Sequence, residues 1–402
     1  MNVIFLTIAR IVDINARGIY TDLLRKFRDE GHNVYVVTPL ERQFKKKTNL
    51  NCKDGIFILG VESLNLQKTN AIEKGIGQLL LEYQYGKAID KYLGNIVFDL
   101  ILYSTPPITF NSVIQKLKKR NKNSISYLLL KDIFPQNAVD LQMFSNKSLI
   151  YKFFRKKEKQ LYVISDYIGC MSQANVDYLL KHNAFIDISK IEINPNSLSF
   201  DSGDDNFIIN KFEIRRKYNL PIDKPIIIYG GNLGKPQGID FLINILDVNK
   251  FRNDCFFLIV GAGTEYGKLY EWFEFNKPTN SLLFKNLPKV DYEQLAASCD
   301  IGLILLDKRF TIPNYPSRLL SYLSNKMPIL VATDKNTDIG IDAEQNGYGY
   351  FSESGDIVSF NNNLDKMLSS SEKRIQMGEC GYTYMKKNFS VEVSYDTILK
   401  HF

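Results

Sequence analysis

The stretch IIIYGGNLGKPQG, residues 226–238, joins a run of apolar residues to a glycine-rich turn that contains a lysine. The apolar run predicts a strand that is covered on both faces, as in a parallel sheet. The glycines allow a tight turn and the close approach of a ligand, because no Cβ blocks the backbone. A helix predicted from Ile239 onward would direct its free N–H groups at this turn, beside Lys235, which is typical of a phosphate site. An ordinary strand-to-helix turn would have the same sequence pattern.

Length and composition indicate a globular protein with two domains. The chain has 402 residues, of which 45% are hydrophobic and 24% are charged, and this length exceeds the usual size of a single core. The start, MNVIFLTIAR, predicts a strand and not a signal peptide. The five cysteines are scattered without a CxxC pair, so we expect a reducing compartment, the cytosol, and no zinc site.

Strand and helix patterns alternate along the chain, which predicts an α/β fold with doubly wound parallel sheets. In the first half, strands are predicted near 2–8, 33–38, 55–60, 98–103, 125–130, 167–171 and 191–194, and helices near 17–30, 71–94, 107–119, 148–164 and 173–182. In the second half, strands are predicted near 225–230, 255–260, 281–285, 301–306, 328–332 and 348–351. The polar stretch 196–206 is the predicted linker.

Three later segments add to the glycine turn. FFLIVGAG, residues 256–263, is a second buried strand that ends in glycines, and NGYGYF, residues 346–351, is a glycine-flanked strand. In NYPSRLLSYLSNKMPILVA, residues 314–332, Ser317 is a typical helix N-cap, and the N–H groups that follow it would face an anion.

The order of these segments resembles the retaining GT-B glycosyltransferases of the family 4 group, which builds bacterial O-antigens and capsules and includes colanic-acid and fucosamine transferases. In the second half, the matching segments are GGNLGKPQG, VGAG, LPKVDYEQLAASCDIGLILL and PSRLLSYLSNKMPIL. In the first half, they are RGIYTDLLRKFRDEGHNVYVVTP, LLLKDIFPQNAV (128–139), KQLYVISDYIGCMSQANVDYLL (159–180) and INPNSL (193–198). The resemblance covers nearly the whole chain.

This resemblance implies two Rossmann-like domains that face each other across a cleft. Residues 1–196 would bind the acceptor, residues 207–387 would bind a nucleotide-sugar, and the last helix, 388–402, would return to the first domain. The family implies transfer of a sugar, with retention, from a nucleotide-sugar in surface polysaccharide synthesis. A UDP-linked donor is the expectation, and the basic, aromatic first half favours a lipid-linked glycan as the acceptor. Neither a cofactor nor a metal ion is expected.

The departing nucleoside diphosphate needs cations and N–H donors that are placed in advance. Lys235 and Arg318 are the candidate catalytic cations in the second half, and Asp132 would orient an acceptor hydroxyl or merely cap the next turn. Asp13, Arg17 and Gly18 are the acceptor-side candidates. Arg17 is predicted at a helix N-terminus, where it would bind phosphate or remain a surface arginine. The donor-binding candidates are Gly230, Gly231, Asn232, Gly234, Gly263, Asn286, Pro316, Ser317 and Ser321.

One departure from the family pattern concerns the donor site. Family members usually carry a Glu–x7–Glu pair, and Pro313 and Ser321 occupy these two positions in this sequence. Gln237 replaces the second lysine of the phosphate motif. A catalytically weak or inactive GT-B subunit that supports another transferase is therefore an alternative function.

Two further alternatives are enzymes of other classes. A nicotinamide dehydrogenase would need an acidic residue to read the ribose where the sequence has Lys285. A nucleotide-sugar epimerase would need a cluster of carboxylates and histidine that the sequence pattern does not provide.

The net charge of +7 is concentrated in runs within the first half, at 41–47, 116–122 and 153–160. The last run lies beside aromatic and aliphatic residues, which predicts contact with an anionic membrane surface. A peripheral location on the inner face of the cell membrane, in the cytoplasm, is the expectation, with solvated helix faces as the alternative. No nucleic-acid-binding motif accompanies the runs, so nucleic acid is not an expected partner.

Overall fold

The computed structural model describes residues 1–66, 71–200 and 210–402. These residues divide into two units, which are Met1–Ser199 with Ser390–Phe402 (unit 1) and Phe200–Phe389 (unit 2). The predicted linker, 196–206, extends into residues that lie outside the described part of the chain. Within the described part, no helix combines the length and the hydrophobicity that a membrane span requires.

Unit 1 is built on a sheet with the strand order β3-β4-β2-β1-β5-β6-β7-β8. Its strands are β1 (Asn2–Leu6), β2 (Asn33–Glu41), β3 (Asn49–Lys53), β4 (Ile56–Ser63), β5 (Leu100–Ser104), β6 (Ile125–Leu130), β7 (Tyr167–Cys170) and β8 (Ile191–Ile193). Its helices, numbered along the whole chain, are α1 (Thr21–Asp29), α2 (Ala71–Leu93), α3 (Asn111–Arg120), α4 (Gln136–Asp140), α5 (Leu149–Ile164), α6 (Gln173–His182) and α15 (Val391–Leu399).

The sheet of unit 1 is parallel except at one edge. β3 pairs antiparallel with β4, and the other described neighbours pair parallel. The sequence NLNCK of β3 is polar and partly exposed, so its residues carry no apolar pattern, and our sequence analysis did not predict this strand. The strands β1 and β5 are apolar almost throughout and nearly wholly buried, as a strand with helices on both faces must be.

The C-terminal helix α15 belongs to unit 1, where it packs against α1. The rings of Phe27 and Tyr395 lie 4.9 Å apart. The Tyr395 hydroxyl lies 2.9 Å from Nε2 of His32, and the Ser394 hydroxyl donates to Oδ1 of Asn194 at 2.6 Å. The core of unit 1 is therefore completed by a segment that lies far away in the sequence.

Unit 2 has an all-parallel sheet with the order β11-β10-β9-β12-β13-β14. Its strands are β9 (Ile226–Asn232), β10 (Phe256–Ala262), β11 (Ser281–Phe284), β12 (Ile301–Leu305), β13 (Ile329–Thr333) and β14 (Gly349–Glu353). Its helices are α7 (Lys211–Lys217), α8 (Ile239–Asn249), α9 (Tyr266–Asn276), α10 (Lys289–Ala297), α11 (Arg318–Ser324), α12 (Ile339–Gln345), α13 (Ile357–Leu368) and α14 (Ser371–Asn388).

Both sheets confirm the predicted α/β, doubly wound class. The order of strands in unit 2 reverses between β9 and β12, and in unit 1 it reverses between β1 and β5. In open parallel sheets, ligands bind beyond the carboxyl ends of the strands at this point of reversal. The glycine turn after β9 and the loop after β1 therefore lie where binding sites are expected.

Candidate functional site

The glycine turn of unit 2 is fixed beside the carboxyl end of β12. The backbone N–H of Asp307, just after β12, donates to the carbonyl of Pro236 at 3.0 Å. Residues Lys235–Gln237 form a single 3₁₀ turn, which the sequence analysis did not predict, and α8 begins after it at Ile239. Gly238 has a positive φ of 58°, so the backbone can turn sharply between the 3₁₀ turn and the helix.

A cavity of about 190 Å³ lies next to this turn. It is lined by Lys235, Ile239, Asp240, Glu265, Lys268, Asp307 and Arg309. Lys268 pairs with Glu265 at 2.7 Å and with Asp240 at 3.2 Å, and Arg309 pairs with Asp307 at 2.7 Å. Among the residues that the structure describes, Nζ of Lys235 has no such partner. The positive charge of Lys235 is therefore available to a ligand.

Arg318 is the first residue of α11, and an aromatic ring holds its side chain. Its guanidinium carbon lies 4.5 Å from the ring centroid of Tyr229, the residue that precedes the glycines in β9. Nη1 of Arg318 is buried and has no hydrogen-bond partner within the described parts of the chain. A buried donor without a partner is costly, and a guanidinium forms a particularly good match to a phosphate.

Gly231 is required by both its conformation and its neighbour. Its φ is +133°, where residues with a side chain are strained. A Cβ atom at this position would lie 3.3 Å from Nη2 of Arg318. The bare backbone therefore allows the guanidinium to lie directly against the end of β9.

Gly230 is packed against protein and not against open space. A Cβ atom there would overlap the hydroxyl of Tyr292. The N–H of Gly230 donates to the hydroxyl of Tyr322 at 3.0 Å, so this amide is not free to bind phosphate as we expected from the sequence. Burial raises the pKa of Tyr292 to about 12 and raises the pKa of Tyr322 well above its ordinary value, so both phenols are neutral near pH 7.

The other predicted donor-binding residues around the turn differ in their exposure. Asn232 is exposed, and its side-chain amide donates to Oε1 of Gln237 at 3.1 Å. Gly234 is buried beside Asn232, and a Cβ atom at Gly263 would overlap the carbonyl of Leu233. Asn286 is exposed and follows the edge strand β11. The glycines thus mainly allow close packing of the backbone, and Asn232 presents an exposed side-chain amide at the turn.

The start of α11 differs from our expectation at one residue. Ser317 occupies the N-cap position, but its side chain accepts no capping hydrogen bond and its backbone is helical, with φ −62° and ψ −18°. The reason is that the carbonyls of Pro316 and Ser317 already begin the turn, by accepting from Leu319 and Leu320. Ser321 lies one turn after Arg318 on the same face of α11.

The third predicted catalytic residue, Asp132, belongs to unit 1 and follows β6. Both of its carboxylate oxygens accept from the side-chain amide of Asn137, at 2.9 and 3.0 Å. Its backbone N–H donates to the hydroxyl of Thr105 at 3.2 Å. Asp132 is half-buried, so its contact with α4 supports the alternative of a turn-capping role without removing access to the carboxylate.

The acceptor-side candidates lie in the loop after β1. Asp13 is exposed and pairs with Lys53 at 2.9 Å, and a hydrogen bond from this lysine lowers the pKa of the Asp13 carboxyl. The N–H of Gly18 donates to Oδ1 of Asp22 at 2.8 Å. Arg17 does not lie at a helix N-terminus, as predicted, because α1 begins only at Thr21. The buried Asp22 organises the intervening turn and thereby delays the helix.

Sequence reasoning missed Lys131, which precedes Asp132. Nζ of Lys131 donates to the carbonyl of Asn194 at 3.1 Å. Burial lowers the pKa of Lys131 to about 7, so this lysine changes its charge near neutral pH. Its position directly after the apolar strand β6 was visible in the sequence, but nothing in the sequence showed that its ammonium would contact the carbonyl of Asn194.

Sequence reasoning also missed the tyrosines that surround the end of β9. Tyr229 and Tyr322 read as ordinary apolar positions of a strand and a helix. The spacing of four residues between Arg318 and Tyr322 was the available signal, since it places both on one face of a helix.

Comparison with known proteins finds a family match within unit 2. Residues 210–384 match the family described as glycosyl transferases group 1. The match covers less than half of the chain, so it shows what these residues are similar to. The matched range includes the glycine turn, Lys235 and Arg318.

Two curated proteins are similar in sequence. The chain is 22% identical over 275 residues to the probable glycosyltransferase WbjE of Pseudomonas aeruginosa, which covers 66% of this chain and 65% of WbjE. It is 27% identical over 131 residues to WcaI of Escherichia coli K12, a putative colanic acid biosynthesis glycosyl transferase, which covers 32% of this chain and 31% of WcaI. The chain thus spans less than two thirds of either relative.

Solved structures show the same fold over the full chain. Sucrose-phosphate synthase from Thermosynechococcus elongatus superposes with a TM-score of 0.76 at 14% identity, covering 99% of this chain and 98% of that protein. Anabaena HepE, solved in complex with UDP and glucose, superposes with a TM-score of 0.69 at 14% identity, covering 100% and 99%. The predicted GT-B fold is confirmed.

Proposed function

We propose that this protein is a glycosyltransferase that moves a sugar from a nucleotide-sugar to a glycan. One observation carries the proposal, namely that the buried Nη1 of Arg318 has no hydrogen-bond partner among the described residues, while the guanidinium lies against the glycine end of β9. The exposed Lys235 lies in the turn that follows the same strand. Two cations at the point where the strand order reverses form a binding site for a diphosphate.

The positive charges of Lys235 and Arg318 suit the step in which the bond between the sugar and the diphosphate breaks. When the bond between the sugar and the diphosphate breaks, negative charge grows on the leaving oxygen, and cations that are already in place stabilise it. Arg318 needs no reorganisation for this task, since the ring of Tyr229 already holds it. We propose UDP as the leaving group, because the structurally similar HepE was solved with UDP.

We propose that the anomeric configuration is retained. A front-face reaction, in which an oxygen of the donor phosphate takes the proton of the acceptor hydroxyl, needs neither a catalytic base nor a carboxylate nucleophile. In this mechanism Asp132 orients the acceptor hydroxyl, and Asp13, Arg17 and Gly18 lie in the loop that would receive the acceptor. No cofactor or metal ion takes part.

We further propose that the acceptor is a lipid-linked glycan of a bacterial surface polysaccharide, at the inner face of the cell membrane. The similarity to a putative colanic acid transferase supports the polysaccharide. The exposed lysines of α5, which lie beside exposed apolar side chains, support the choice of a lipid-linked acceptor.

An inactive partner subunit is the second candidate function, and the positions of the missing glutamates favour it. The side chain of Pro313 has no polar group, and Ser321 offers one hydroxyl where the family has a carboxylate. A hydroxyl makes a weaker hydrogen bond to a ribose than a carboxylate does.

Slow donor hydrolysis distinguishes the two functions. The protein is incubated with UDP-sugars and GDP-sugars, and release of the free diphosphate is followed together with the anomer of the released sugar. A working transferase releases UDP from at least one sugar, and the first sugar product keeps the donor's configuration. Nucleotide binding without any release, with and without added membrane lipid extract, would favour the inactive subunit.

A further inference from the structure

The N-terminal half of α5 and the residues just before it form an exposed surface in unit 1, which we call the α5 surface. Its apolar members are Met143, Leu149, Ile150 and Phe153, with exposed fractions of 64%, 81%, 55% and 43%. Its cations are Lys147, Lys152 and Lys156, all of which are exposed. Within the described part of the chain, none of these three lysines forms an ion pair. Exposed apolar side chains and unpaired cations thus lie close together along residues 143–156.

The other basic runs of unit 1 are partly paired with carboxylates. The pairs are Lys116–Asp90, Lys118–Asp166, Arg42–Glu73 and Lys47–Glu62. A paired surface lysine gains little by approaching an anion, since its carboxylate is repelled as strongly as the lysine is attracted. Lys45, Lys46, Lys119 and Lys122 of those runs are also exposed, but the α5 surface combines its lysines with a group of exposed apolar side chains.

We propose that the α5 surface docks on an anionic lipid leaflet, with the apolar side chains inserted at the headgroup boundary and the lysines among the lipid phosphates. This inference rests on the part of the proposed function that places the acceptor in a membrane, and it is independent of the donor site. Exposed apolar residues with interleaved lysines are the pattern of helices that lie in the interface plane. A second copy of the chain is a poor occupant, because two such surfaces would repel each other.

A neighbouring helix also carries exposed apolar residues. On α2, the exposed residues Ile76, Leu79, Leu80 and Tyr83 follow helical spacing. At the start of α3, the N–H of Ser112 donates to Glu82 of α2, and the side chain of Asn111 donates to the carbonyl of Lys157 of α5 at 3.1 Å. The helices α2 and α5 therefore flank the start of α3, on the side of unit 1 where β5 ends.

The α5 surface is linked directly to the loop of Asp132. The hydroxyl of Tyr151 in α5 donates to Oε1 of Gln136 in α4 at 3.3 Å. The adjacent Asn137 holds the carboxylate of Asp132. Docking of α5 would therefore hold the Asp132 loop near the headgroups, where the glycan of a lipid-linked acceptor begins.

Vesicle flotation tests this inference with the full chain. Wild type is mixed with vesicles of phosphatidylcholine alone or of phosphatidylcholine and phosphatidylglycerol in equal amounts. The triple variant Lys147→Glu, Lys152→Glu, Lys156→Glu removes the cations, and Leu149→Ser, Ile150→Ser, Phe153→Ser removes the apolar contacts. The matched control, Lys277→Glu, Lys386→Glu, Lys387→Glu, makes the same change of charge on exposed lysines of unit 2.

We expect wild type and the control to float with the anionic vesicles and each α5 variant to lose at least about tenfold in partitioning. High salt should weaken wild-type binding, because it screens the lysines. Equal loss in the control variant, or no wild-type binding to anionic vesicles, would overturn the inference. UDP titration of the same samples separates the two proposals, since unchanged UDP affinity in the α5 variants leaves the donor site intact whichever way flotation turns out.

Discussion

At the scale of single residues, the proposed donor site depends on tyrosines that pack around the glycine turn. Tyr322 accepts the N–H of Gly230 and lies in the same helix as Arg318. Tyr292 fills the space above Gly230. These phenols hold the backbone of the glycine turn in place, and that backbone positions the two cations, Lys235 and Arg318.

Replacing Tyr322 with Phe should destabilise unit 2. The change leaves the buried N–H of Gly230 without its partner, which costs about 1–3 kcal/mol of unfolding free energy. Urea unfolding measures the loss. Tyr350→Phe is the matched control, because its hydroxyl is buried and has no hydrogen-bond partner among the described residues, so its removal should be nearly neutral. Equal effects of the two changes would contradict this role for Tyr322.

Lys131 should make the stability of unit 1 depend on pH. The unfolded chain keeps the Lys131 proton up to its ordinary pKa of 10.5, whereas the folded chain releases it at a pKa of about 7. Between these values the unfolded state binds more protons, so the free energy of unfolding rises with pH. Lys131→Met should flatten this rise between about pH 7 and pH 10, as measured by urea titrations at each pH. An unchanged slope would show that Lys131 keeps its proton in the folded state.

At the scale of elements, the sequence predicted the strands better than the contacts between them. The apolar runs of β9 and β10 were sufficient to locate both strands, because a buried parallel strand has few polar residues. The polar edge strand β3 has no such signal. The predicted capping role of the Ser317 side chain was wrong for a different reason. The backbone conformation of residue 317 belongs to the turn that begins at Pro316, and the side chain of Ser317 accepts no capping hydrogen bond.

The candidate site could be predicted only in part, because contacts between elements are not visible in the sequence. Lys235, Gly231 and Arg318 were chosen for the special chemistry of their residue types, and they remain predictions. The sequence did not show that Tyr292 and Tyr322 pack over Gly230, so it did not show that the Gly230 amide has a protein partner. Contacts between elements, such as that of Tyr229 with Arg318, appear only once the sheet order is known.

The contact between β9 and α11 predicts a positioning role for Tyr229. Tyr229→Leu removes the ring beneath the guanidinium and should weaken UDP binding by about fivefold, consistent with a cation–π contact of about 1 kcal/mol. Tyr229→Phe keeps the ring and should bind UDP nearly as wild type does. Calorimetric titration of both variants is the measurement. A loss in the Phe variant as large as in the Leu variant would assign the effect to the hydroxyl and not to the ring.

At the scale of the whole molecule, the two units have different proposed roles. Unit 2 holds the donor cations, and unit 1 holds Asp132, the loop after β1 and the α5 surface. Unit 1 is also discontinuous, because α15 returns to it after the whole of unit 2. Packing of α15 should therefore affect unit 1 selectively.

Tyr395→Ala tests this selectivity. The side chain is 5% exposed and contacts Phe27 and His32, so its removal should cost unit 1 about 3 kcal/mol of unfolding free energy. The only tryptophan of the chain, Trp272, lies in unit 2 and reports on that unit alone. We expect circular dichroism to show an earlier transition while the tryptophan fluorescence transition stays in place. An equal shift of both signals would mean that the two units unfold together.

The most direct test of the account is the affinity for UDP of Arg318→Ala beside that of Arg252→Ala. Both arginines belong to unit 2, but Arg252 is held by Asp254 and Asp365, whereas Nη1 of Arg318 has no partner in the described chain. We predict that wild type binds UDP, that Arg318→Ala weakens binding by more than about tenfold, equivalent to about 1.4 kcal/mol, and that Arg252→Ala leaves it unchanged. UDP binding that is equally strong in wild type and Arg318→Ala would contradict the proposed donor site.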